Sequence, residues 1–137
     1  MTLIRFGVSL DETLLEKFDD HIKKNQYTNR SEAIRDLIRE ALVLEQWCAG
    51  EHVAGTISLV YDHHKRELVS KLLGIQHGFH HLIISSQHIH IDHDNCLEVI
   101  VFVGEAQKAE MLFNKLKSAK GVKHADITIT TTGQNLK

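Results

Sequence analysis

The chain has no proline and only two cysteines, Cys48 and Cys96. The absence of proline excludes a stiff polyproline linker and favours short, structured connections. Two cysteines in a chain without an export signal point to thiols rather than a disulfide framework. Long apolar runs are missing too. None approaches the roughly 20 residues of a membrane span, and residues 1–10 lack the basic start and apolar core of a secretion signal, so a cytosolic protein is expected. Nor is there an excess of either charge. Sixteen Lys plus Arg against eighteen Asp plus Glu give a formal charge of -2, so nucleic-acid binding would require a local basic patch. What remains, 42% hydrophobic and 25% charged residues, is an ordinary globular balance over 137 residues. Histidine is the outlier: there are eleven, seven of them between His63 and His90.

The segment Ile4-Arg5-Phe6-Gly7-Val8-Ser9-Leu10 alternates apolar and polar residues, the pattern of a strand with one buried face. Asp11 can cap a helix with apolar positions Leu14, Leu15, Phe18 and Ile22, and Asn25-Gln26-Tyr27-Thr28 breaks it. Asn29 and Glu32 form a capping-box pattern ahead of a second helix with Ala33, Ile34, Leu37, Ile38, Ala41, Leu42 and Leu44. A lone strand and two helices cannot bury a core or satisfy the strand's backbone groups. Pairing the strand with that of a second copy gives a ribbon-helix-helix dimer, with Ile4, Phe6, Val8 and Leu10 pointing inward and Arg5, Gly7 and Ser9 outward. The alternative is a strand docked on the C-terminal sheet of its own chain.

After a linker at Ala49-Gly50-Glu51-His52 the pattern predicts a strand from Val53 to Tyr61, a helix from about His64 to Gly78, and strands from Leu82 to Ile91 and from Cys96 to Val103. A helix with Ala106, Ala109, Leu112 and Leu116, ended by Gly121, and a strand from Val122 to Thr131 complete the order βαββαβ, a ferredoxin-like module. The expectation is an α+β protein with a ribbon-helix-helix unit in residues 1–48, a linker in 49–52 and the ferredoxin-like domain in 53–137.

His88 and His90, two apart on a strand, project from one face with Cα atoms about 7 Å apart, and Cys96 follows the turn. If His90 pairs with Cys96, then His88 pairs with Glu98 and all four share a face; a one-residue slip removes the cysteine. Two imidazoles and a thiolate suit Zn(II), Cu(II), Ni(II) or Co(II), not calcium or magnesium. A fourth ligand could come from His77, His80, His81, His63, His64 or His93. If the first helix of the module runs back across the sheet, His77 ends near Leu82, roughly 27 Å along the strand from His90, and can join the site only from another subunit. His63, His64, His80, His81 and His93 are expected at the surface, as are His21, His52 and His124. Cys48, beside Trp47, is expected to pack.

The stretch Asn29-Arg30-Ser31-Glu32-Ala33-Ile34-Arg35-Asp36, the pair Gln76-His77, and His88-Ile89-His90 followed by Asn95-Cys96-Leu97-Glu98 resemble nickel-responsive regulators of the NikR type over nearly the whole chain. The resemblance implies an ACT-like metal domain and a homotetramer, a dimer of DNA-binding dimers. It implies square-planar Ni(II) held by His88, His90 and Cys96 of one chain and His77 of another, with Gln76 and Glu98 hydrogen-bonding to the ligands. It also implies repression at double-stranded operator DNA. In such a complex the outward Arg5 and Ser9 would read bases, Asn29 and Ser31 at the start of the second helix would hold phosphate with backbone amides, and Lys65 and Arg66 would either add phosphate contacts or stay an ordinary solvated pair. Many relatives have a polar residue, often Thr, where this chain has Gly7, so one base contact is lost. Some have a continuous histidine run where this chain reads His77-Gly78-Phe79-His80-His81. A zinc or cobalt sensor of the same architecture would share these features. A zinc hydrolase using Glu98 as base would leave the N-terminal half without a purpose, and an antitoxin-like or amino-acid-sensing protein would not need the His-x-His and Cys set.

Overall fold

The computed structural model describes residues 2–134 and 136. The chain divides into two compact units, Met1–Glu40 and Ala41–Lys137.

In the first unit, α1 (Glu12–Lys24) begins where the Asp11 carboxylate accepts a bond from the Thr13 amide at 3.0 Å, satisfying one of the free donors of the first turn. The chain turns through Gln26, at φ 59, into α2 (Arg30–Cys48). There Asn29 Oδ1 accepts from the Glu32 amide at 2.9 Å, the half of the capping box that closes the helix start. Arg30 holds both Asp19 oxygens at 3.0 Å, tying α2 to α1, and the Tyr27 hydroxyl bonds Asp36. The segment from Ile4 to Leu10 forms no strand and lies exposed, Phe6 at 70%. It does not join the C-terminal sheet, which corrects that alternative: alternation specifies a strand face, but a strand exists only when a partner takes up its backbone groups. Its apolar side chains line an open hollow of about 1470 Å³ with Leu14, Ile34, Leu37 and Ile38.

The second unit is built on β1 (His52–Asp62), α3 (Arg66–Gly78), β2 (Ile83–His90), β3 (Asn95–Glu105), α4 (Ala106–Lys117) and β4 (Val122–Thr130). The sheet order is β2-β3-β1-β4 and every neighbouring pair is antiparallel, the ferredoxin-like arrangement. Period-two burial puts Val53, Ile57, Leu59 and Tyr61 of β1 and Ile100 and Phe102 of β3 in the core, with Leu68 and Leu72 of α3 and Leu112 and Leu116 of α4. Gly55 is required by close approach: a Cβ there would lie 2.4 Å from the Thr128 carbonyl oxygen. The end of α2 belongs to this core. Trp47 packs edge-on against Phe102, centroids 6.0 Å apart, and its indole N–H donates to the Thr130 carbonyl at 3.1 Å. Cys48 beside it is exposed, which corrects the expectation that it packs: one helical step of about 100° turns it from the face that Trp47 uses. Helix α3 starts at Arg66, two residues later than the periodicity suggests, because Asp62 ends β1 by accepting the His64 amide at 2.9 Å in a turn.

Candidate metal centre

The hairpin of β2 and β3 adopts the register that gathers the candidate residues: His90 faces Cys96 and His88 faces Glu98. Directly paired residues share a face, and on β3 this is the buried face of Cys96, Glu98 and Ile100. Glu98 is only 1% exposed. A buried carboxylate demands partners, and it has two: the Tyr61 hydroxyl donates to Oε1 at 2.7 Å and the Gln76 amide to Oε2 at 2.8 Å. His88 Nε2 lies 3.5 Å from the same Oε2, and its Nδ1 lies 3.5 Å from the Tyr61 hydroxyl. Burial, then the bond to Glu98 and its charge, push the Tyr61 hydroxyl well above the usual phenol range. It therefore stays a donor to the carboxylate across the neutral range. Tyr61, on β1 opposite Cys96, escaped sequence reasoning. Its polar end could have been inferred from the alternation, which places it on the same inward face as Leu59.

The bond from Gln76 to Glu98 corrects the sequence-based distance from the end of α3 to the site. Gln76 and His88 are separated by a single carboxylate rather than by a strand's length. The Gln76 side chain, in the last turn of α3, reaches Glu98 on β3, and helix direction alone could not tell how far along the strand it would reach. His77 is nonetheless exposed, its ring 5.9 Å from that of His80. It stands one helical step of about 100° from Gln76, so the two side chains leave α3 in different directions.

The donor atoms of His88, His90 and Cys96 share a face without converging within 4.8 Å. Each imidazole is held by a neighbour: His88 beside Glu98 and Tyr61, His90 stacked on His63 with ring centroids 4.2 Å apart. His63 is half-buried and its Nε2 is buried without a hydrogen-bond partner, which corrects its assignment to the surface. His64, His80, His81 and His93 are exposed as expected, and so are His52 and His124, whereas His21 is half-buried against Phe18, centroids 6.4 Å apart. The donor set fits a borderline transition metal: one sulfur and two imidazoles on adjacent strands, backed by a carboxylate that can accept from a ligating imidazole.

The candidate DNA residues lie on other elements. Arg5, Gly7 and Ser9 are exposed on the unpaired N-terminal segment, and a Cβ at Gly7 would meet nothing within 4 Å. Asn29 and Ser31 are exposed at the start of α2. Lys65 and Arg66, both exposed, open α3, where Lys65 is the N-cap and makes no side-chain capping bond.

Comparison with known proteins accounts for both units. Residues 4–45 match the model of ribbon-helix-helix proteins of the copG family, and residues 54–130 match that of the NikR C-terminal nickel-binding domain. A protein of Desulfovibrio desulfuricans named as a candidate nickel-responsive regulator is 55% identical over 134 residues, covering 98% of this chain and 97% of its own. Proteins of the same name from Chlorobium phaeobacteroides (57% over 129 residues, 94% of this chain and 96% of its own) and Syntrophus aciditrophicus (53% over 132 residues, 96% of each) are similarly close. Among solved structures, an uncharacterized protein of Thermotoga maritima superposes with a TM-score of 0.53 at 14% identity, covering 58% of this chain and 98% of its own, and shows the fold of the shared part alone. With both halves matched in order and relatives alike from end to end, the chain belongs to the family of nickel-responsive regulators that join a ribbon-helix-helix unit to a NikR C-terminal domain.

Proposed function

We propose that this chain represses transcription in response to nickel, as a homotetramer whose metal sites are shared between subunits. Family membership makes it a nickel-responsive DNA-binding regulator and not an enzyme, so the hydrolase reading falls. The observation that carries the finer reading is the β2–β3 register, which aligns His90 with Cys96 and His88 with Glu98. His88, His90 and Cys96 would hold Ni(II), and His77 of a second chain would supply the fourth donor. Bound there, the ion supplies a cross-link between subunits, which favours the assembled state by mass action. The carboxylate of Glu98 orients His88, while Tyr61 and Gln76 orient Glu98 in turn.

DNA binding falls to the first unit. Its unpaired segment and open apolar hollow suit a second copy, whose segment would complete an antiparallel ribbon and cover Phe6 and its neighbours. The ribbon then presents Arg5 and Ser9 to base edges, with Gly7 leaving one position unread. Asn29 and Ser31 sit where backbone amides can hold phosphate, and Lys65 and Arg66 add phosphate contacts. No helix among the described residues is long and apolar enough to cross a membrane, and a protein that binds operator DNA would act in the cytoplasm.

Subunit exchange tests the shared site. His77→Ala and Cys96→Ala each lack a ligand in every site of their own oligomers. Mixed, they should regain sulfur-to-nickel absorption at the fraction set by random assortment, because an intact site can take His77 from one and the remaining ligands from the other. Continued absence after mass spectrometry has shown exchange would place the whole site in one chain. A titration of operator DNA with and without stoichiometric Ni(II) tests the response itself; equal affinity in both would refute nickel control.

A further inference from the structure

Two histidine-bearing loops meet at one end of the sheet. The β1–α3 loop carries His63 and His64, and the β2–β3 turn carries Asp92, His93 and Asp94. Both are anchored. Asp62 Oδ1 accepts the His64 amide at 2.9 Å, and Asp92 Oδ1 accepts the amides of Asp94 and Asn95 at 2.9 and 2.8 Å. The loops are tied by His64 Nε2, 2.8 Å from the His93 carbonyl oxygen, with the two rings 5.1 Å apart. One donor atom from each of His64, His93 and Asp94 lies within 4.8 Å of the others.

A hydrogen bond assigns the ring proton of His64. A carbonyl oxygen only accepts, so His64 carries its proton on Nε2 and keeps a lone pair on Nδ1. Asp94 Oδ1 lies 3.1 Å from His93 Nδ1, a spacing that adjacent ligands of one ion can share once the ion displaces the proton between them. His64 thus has one nitrogen anchored and one able to bind a cation, the arrangement by which outer partners orient metal-binding histidines.

We propose that His64, His93 and Asp94 form a second cation site, separate from Cys96, for a borderline divalent ion such as Zn(II). Two imidazoles and a carboxylate suit such an ion and leave the rest of its coordination to water. All three side chains are exposed, so entry is open and ion exchange rapid. A neighbouring trio, Asp62, His63 and His64, offers a weaker set: one Asp62 oxygen already accepts the His64 amide, and the His63 ring is stacked against His90. An ion at His64, His93 and Asp94 would clamp the β1–α3 loop to the β2–β3 turn, one residue ahead of Lys65 and Arg66. The site shares no ligand with the nickel site and stands whether or not that reading holds.

Zn(II) titration of the full chain by equilibrium dialysis tests it. The equivalent assigned to this site should weaken at least tenfold in His64→Gln and in His93→Gln and persist in Cys96→Ala. In the wild type Zn(II) should also slow amide exchange over residues 62–66, and in the two histidine variants it should not. Unchanged stoichiometry and affinity in both histidine variants would overturn the site, as would loss of this equivalent in Cys96→Ala alone. If Cys96→Ala instead matches the wild type in every class of bound metal, the sulfur-containing site fails while this one stands. Because the substituted side chains are exposed, the variants should keep the wild-type circular dichroism.

Discussion

Glu98 concentrates the energetics of the metal-domain interior in one side chain. Substituting Ala removes the acceptor of two charge-assisted hydrogen bonds, from Tyr61 at 2.7 Å and Gln76 at 2.8 Å, and strands a buried hydroxyl beside a new cavity. Breaking a buried hydrogen-bonded charge in this way costs about 3–5 kcal/mol, a large share of the roughly 5–15 kcal/mol that holds an ordinary domain together. Glu98→Gln keeps the volume and one acceptor but turns an amide toward a donor, so it should cost less, about 1–3 kcal/mol. Urea unfolding of the metal-free chain at pH 7 and matched chain concentration measures both. Glu105→Gln is the control: Glu105 is exposed and 3.8 Å from Lys108, so it should change stability by less than about 0.5 kcal/mol. Metal titration of Glu98→Gln should in addition show about 10–100-fold weaker binding, through the loss of His88 orientation. If Glu98→Ala lay within about 1 kcal/mol of the wild type, the carboxylate would not be the buried hub that its burial and two hydrogen bonds indicate.

The raised Tyr61 hydroxyl makes stability depend on alkaline pH: its contribution is complete below the ordinary value of 10.0 and is lost as pH rises above it toward the folded value, because the unfolded chain ionises first. Urea midpoints measured from pH 8 upward should fall more steeply in the wild type than in Tyr61→Phe, and parallel curves would refute the linkage. Gly55→Ala should destabilise by about 1–3 kcal/mol through its clash with the Thr128 carbonyl and the Phe102 ring, whereas Gly7→Ala, with open space around it, should leave thermal stability unchanged; equal melting temperatures for the two would contradict the packing. Arg5→Ala should lose at least the roughly 1–3 kcal/mol of a bidentate base contact in operator binding while retaining metal, and wild-type affinity at matched salt would remove Arg5 from the DNA surface.

The periodicities and spacings in the chain were enough to specify elements and faces. Inward-facing Val53, Ile57 and Leu59, the caps at Asp11 and Asn29, and the βαββαβ order are local signals, each carried by residues close together in sequence. His-x-His on a strand likewise fixes a shared face without reference to anything distant. Tertiary packing decided the rest. It selected the β2–β3 register on which Cys96 depends, and it brought Gln76, in the last turn of α3, to Glu98 beside His88 although the strand direction argued for separation. It set His63 against His90, 27 positions along the chain, and turned Cys48 outward while Trp47 entered the core. The N-terminal segment marks the division between the two. Its alternation names a buried face, yet one chain supplies no partner for its backbone, so the strand becomes structure only through association. Backbone pattern is encoded residue by residue, whereas the lateral position of a helix on a sheet, and the rotamer of a histidine beside it, result from many side chains packing at once.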